Sequence, residues 1–144
     1  MKHLATIMLM TIALPLRAQP EPTDKHFWHS ATTTAAADTI WAIWTDVAAW
    51  KNWDTGLRDA VMSEPFALGA SGTIISLEGR KSRFTVVAFE PGKAYTFRTK
   101  LPLGSLYVKR FLEADGATVR FTHEVWFRGF TGGLFARAFG KRFR

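Results

Sequence analysis

Two polar side chains fall where the alternation of a strand puts them on a covered face. Arg110 shares its parity with Leu106, Val108 and Leu112, and His123 shares its parity with Phe121, Val125 and Phe127. A guanidinium in that setting needs a partner or water. Its planar fork could hold the carboxylate or enolate of a ligand; equally, it could pair with an internal acid or snorkel to the mouth of a cavity. An imidazole, with a reference pKa of about 6.5, suits acid or base work, and the plainer reading is a histidine that hydrogen-bonds within the core. Beside these stands a cluster of tryptophans, Trp41, Trp44, Trp50 and Trp53, in one short stretch. Such density marks either a packed core or the wall of an apolar ligand site.

The remaining inventory excludes more chemistry than it offers. The chain has no cysteine, and its histidines, His3, His26, His29 and His123, are scattered. Only His26 and His29 form a local pair, within or next to the segment read below as a leader, so neither a structural nor a catalytic metal is expected. No serine occupies a Gly-x-Ser-x-Gly elbow and no glycine-rich phosphate loop opens a helix. No cofactor is expected. The net charge of +7 is concentrated at the end: Arg128, Arg137, Lys141, Arg142 and Arg144 have no acid among them, whereas Gln19 to Phe127 carries twelve basic and twelve acidic residues. No basic stripe runs through the fold, which argues against nucleic acid.

The elements that must position these residues read as follows. Met1-Lys-His, an apolar run from Leu4 to Leu16, and Ala18 before Gln19-Pro20 have the pattern of a secretory signal peptide over residues 1–18. Cleavage near Ala18 would send the protein out of the cytosol, to a periplasmic or secreted location, with 19–26 as a flexible leader and 27–144 as one domain. Phe27 to Thr34 reads as an edge strand. Ile40, Trp41, Trp44, Val47 and Ala48 are spaced to form one helical stripe, with Asp38 in its first turn and Asp46 and Asp54 as caps or terminators. Six strands follow: Leu57 to Met62, Gly72 to Leu77, Phe84 to Phe89, Ala94 to Leu101, Leu106 to Leu112 and Thr118 to Arg128. Glycine- and proline-bearing turns such as Glu90-Pro-Gly92 and Ala114-Asp-Gly116 separate them, and such short connections imply antiparallel neighbours. In Ala94 to Leu101, Tyr95, Phe97, Thr99 and Leu101 take the covered face. Trp126 lands on the polar face of the last strand, as an edge anchor or a partner contact. Leu134, Phe135, Ala138, Phe139 and Phe143 make the apolar stripe of a short closing helix.

Ile40-Trp41-Ala-Ile-Trp-Thr-Asp46 followed by Trp50-Lys-Asn-Trp-Asp54, then Phe66 to Gly72, Phe84-Thr-Val-Val-Ala-Phe-Glu-Pro-Gly92 and Gly116-Ala-Thr-Val-Arg-Phe-Thr-His123, resemble the SRPBCC or polyketide cyclase/dehydrase group of the START-like (Bet v 1-like) superfamily. The resemblance covers about Phe27 to Arg144. It departs from the group at Lys51, where relatives often have proline, and in the shortened closing helix. It implies an α+β helix-grip fold: a curved antiparallel seven-stranded sheet, two short helices after the first strand and a C-terminal helix. It also implies a cavity for a lipid or polyketide-like molecule, walled here by Trp44, Trp50, Trp53, Phe97, Thr99, Val108, Arg110, Phe121, His123 and Val125. The expected function is binding of a small hydrophobic ligand without catalysis. The enzyme alternative is a cyclase or dehydratase in which Arg110 stabilises negative charge and His123 shuttles a proton. A third reading makes the basic stretch Phe135 to Arg144 a docking element for an anionic membrane or a protein partner.

Overall fold

The strands reverse where the turn residues stand. A computed structural model of the protein describes residues 25–130; the segments expected to be a signal peptide (1–18) and, for the most part, a leader (19–26), and the closing helix expected from Leu134 to Phe143, lie outside the described residues. Strand β1 (His26–Thr33) is followed by helix α1 (Ala37–Thr45) and a short 3₁₀ helix (Val47–Asn52). Then come β2 (Leu57–Val61), β3 (Ser71–Ser76), β4 (Lys81–Glu90), β5 (Ala94–Leu101), β6 (Gly104–Asp115) and β7 (Thr118–Gly129). All seven strands form one sheet in the order β1-β7-β6-β5-β4-β3-β2, antiparallel throughout. β1 is an edge strand, as its weak alternation suggests. His26 and His29 both belong to it rather than to a leader, and a three-residue separation on a strand sends them to opposite faces. The local histidine pair is therefore not a chelate.

The sheet curls into a half-barrel. Register shifts between Leu57 and Asp59 in β2 and between Val86 and Ala88 in β4 supply local bends. At Gly72 a side chain has no room: a Cβ would lie 2.5 Å from the Phe84 ring and 2.7 Å from the Val61 carbonyl oxygen. The turn between β5 and β6 places its positive φ on a residue other than glycine. Leu103, not Gly104, takes the positive φ of 59°, while Gly104 opens β6 directly opposite Gly129. A Cβ on Gly129 would lie 2.5 Å from the Leu103 carbonyl oxygen and 2.6 Å from the Gly104 Cα, so position 129 needs bare backbone.

The tryptophan stretch is not one continuous helix. Asp38 does sit in the first turn of α1, but the helix ends at Thr45 and Asp46 leaves helical geometry, with φ −81° and ψ 85°. Asp46 makes no side-chain capping bond on either side of this break, whereas Asp54 Oδ1 accepts from the Gly56 N–H at 3.0 Å. The break changes which residues share a face. In a 3₁₀ helix, residues three apart eclipse, so Val47 and Trp50 join Ile40 and Trp44 in the core and Ala48 is exposed, contrary to the helical stripe.

Candidate functional site

The register lays the inner face out in rows running across the strands. Phe27, Val125, Val108, Phe97 and Val86 form an apolar row from β1 to β4. The next row holds His29, His123, Arg110, Tyr95 and Phe89, and beyond it Ala31, Phe121 and Leu112 are apolar again. One polar row thus lies between apolar ones, on the face that α1 and the 3₁₀ helix cover. Trp50 stacks on Phe97 with ring centroids 5.5 Å apart and lies 5.3 Å from Phe84, while Trp44 meets Tyr95 and Phe121 edge-on.

The early end of α1 organises this row. The last carbonyls of a helix lack intrahelical donors, and the Trp44 carbonyl is satisfied by two side chains, the Trp50 indole N–H at 2.9 Å and the Tyr95 hydroxyl at 3.0 Å. With its proton directed there, the Tyr95 oxygen accepts from Arg110 Nη1 at 2.5 Å. Burial pushes the Tyr95 phenol pKa up against the opposing pull of Arg110, so it remains a neutral donor.

Arg110 is 2% exposed. No carboxylate among the described residues pairs with it, and it does not reach solvent, so neither the internal acid nor the snorkelling expected of it is found. Aromatic rings surround it instead: its guanidinium carbon lies 4.7 Å from the Trp53 centroid, 5.0 Å from Trp50 and 5.8 Å from Tyr95 and from Phe97. Cation–π attraction of this kind contributes about 2 kcal/mol when desolvated, less than the several kcal/mol per ion that burial costs.

His123 stands opposite Arg110 on β7. Burial, then the charge of Arg110, then His29 lower its pKa to about 3, so the ring is neutral at physiological pH. Its Nε2 has no hydrogen-bond partner among the described residues, and the same holds for Trp53 Nε1, Thr99 Oγ1 and Arg110 Nε, all buried on this side of the sheet. The ten wall residues expected from the sequence are therefore brought together on the inner face and its helical cover. Tyr95 was placed on that face but not among the site residues; its parity with Arg110 on the neighbouring strand was the available signal. Trp126 lies on the outer face as expected, stacked on Tyr107 at 5.2 Å with the rings 3° from parallel. Near it a groove of about 450 Å³ runs past Lys25, His26, Lys109, Glu124 and Arg128.

A one-sheet grip of this kind, with an aromatic inner face and a buried polar row, defines a class of fold before any relative is considered. Residues 25–144 match the family described as "Polyketide cyclase / dehydrase and lipid transport", and the chain belongs to it. No match was found among curated proteins. Solved structures share the fold at low identity. A hypothetical protein from Helicobacter pylori has a TM-score of 0.67 at 14% identity, over 92% of this chain and 87% of that one. A protein from Mesorhizobium loti has a TM-score of 0.65 at 18% identity, over 82% and 87% of the two chains. The di-domain ARO/CYC BexL from the BE-7585A biosynthetic pathway has a TM-score of 0.63 at 15% identity, with 82% of this chain covering 42% of that protein.

Proposed function

We propose that this protein binds a small, largely apolar molecule against the inner face of its sheet, and that it does so as a binding protein and not as an enzyme. The observation that carries this reading is that, of the five buried side-chain polar atoms without partners among the described residues, four, on Trp53, Thr99, Arg110 and His123, lie on the inner side of the sheet, the fifth being Arg98 Nε. Most buried polar groups in proteins are hydrogen-bonded, and an apolar wall with a few convergent polar groups is the usual make-up of a small-molecule site. Family membership agrees with it. The test is a tryptophan fluorescence titration of the purified chain with a fatty acid, a fatty alcohol, a sterol and a fused-ring aromatic compound. Saturable quenching or enhancement that disappears in Trp53→Phe is the expected result. A flat response to every compound, with no change in melting temperature, would remove the reading.

A second reading is favoured by the adjacency of Arg110 and His123 across one ladder position and by the fold shared with BexL. In it, Arg110 stabilises an enolate and the neutral imidazole accepts a proton. Turnover of a found substrate that survives His123→Gln unchanged would eliminate that mechanism.

A further inference from the structure

We infer that the molecule held on the inner face is an apolar acid, whose carboxylate is bound by the Arg110 guanidinium beside Trp53. The inference rests on the binding reading above and narrows its ligand class. Arg110 is a cation at 2% exposure with no carboxylate partner among the described residues. Its one hydrogen bond among the described residues uses Nη1, leaving Nε buried and unpaired. Trp50 and Trp53 lie over the guanidinium, so a partner would meet it in its plane, at the edge that carries the unpaired Nε–H. A planar group with several lone pairs meets such an edge best, and a carboxylate is that group.

The neighbouring unpaired atoms point the same way. Trp53 Nε1 is a donor only, and His123 Nε2 donates in one of its neutral tautomers. The Arg110 Nε–H and the Trp53 Nε1–H, donors only, thus both lack an acceptor among the described residues. Tyr95 supplies no competing acceptor for the remaining N–H groups, because its oxygen is already held between Trp44 and Arg110. Around this polar row the wall is Phe97, Val108, Phe121 and Val125, which suits a hydrocarbon or aromatic body and would leave a second charged end unpaired.

The test compares matched pairs by isothermal titration on the full chain: lauric acid against lauryl alcohol, and naphthoic acid against its methyl ester. The acids are expected to bind about tenfold or more tightly than their neutral counterparts, in keeping with a desolvated charge-assisted pair. Arg110→Met is expected to erase that preference, and Arg110→Lys, which keeps the charge without the fork, to retain part of it. Binding of a wild-type acid is also expected to shift the His123 ring resonances in NMR spectra. Equal affinity for acid and neutral partner would overturn the inference and leave the binding reading standing. Binding of none of the four compounds by the wild-type chain would count against both.

Discussion

Arg110 and His123 face each other across one ladder position, and burial together with the nearby guanidinium charge keeps the imidazole neutral. The consequence for stability has a definite sign. The folded His123 has a pKa of about 3 and an unfolded histidine about 6.5, so the unfolded chain binds the extra proton between those values. Stability is then lost as pH falls below about 6.5, by at most about 1.4 kcal/mol per pH unit from this one group. Urea denaturation at about pH 7 and pH 5 should therefore show a loss of up to about 2 kcal/mol, and His123→Gln should flatten it. A variant as steep as the parent would place the sensitivity elsewhere. Tyr95→Phe removes the hydroxyl that joins the Trp44 carbonyl to Arg110 and should destabilise the fold by about 1–3 kcal/mol, measured in the same way. At this scale the parity of Arg110 and His123 was legible in the sequence. The role of Tyr95 was not, because it depends on a carbonyl freed by a helix that stops one residue before Asp46.

Among the elements, the strands were the most readable, since a half-buried antiparallel strand writes its two faces as alternation. β5 follows Ala94 to Leu101 in full, β6 extends beyond Leu106 to Leu112 at both ends, and β7 runs one residue past Arg128. The tryptophan stretch was harder: a stripe at helical spacing looks the same whether the helix continues or shifts to 3₁₀ geometry. What decides is tertiary. Trp50 gains Phe84, Phe97 and the Trp44 carbonyl only after the break. Trp50→Ala should accordingly cost about 3–5 kcal/mol, as truncation of a large buried aromatic does, and thermal melting would detect it. Where β3 crosses Phe84, Gly72→Ala should cost about 1–3 kcal/mol, since the added methyl meets the ring and the Val61 carbonyl. A Gly72→Ala protein as stable as its parent would mean that the Phe84 ring yields without penalty.

For the molecule as a whole, the order of elements between Phe27 and Arg128 indicated a curved sheet gripping short helices only through its resemblance to the START-like group, and the register then explains why the interior is both apolar and incompletely paired. Pairing could not be read from the chain, because rows such as His29, His123, Arg110, Tyr95 and Phe89 join residues far apart in sequence. The proposed function requires this interior to hold a small molecule. Native mass spectrometry of protein purified without detergent, followed by organic extraction of whatever is released, tests it most directly. A discrete added mass that is lost on denaturation, or gained on incubation with an apolar acid, is the predicted result. A clean unliganded mass that no fatty acid, sterol or aromatic compound shifts would contradict the account.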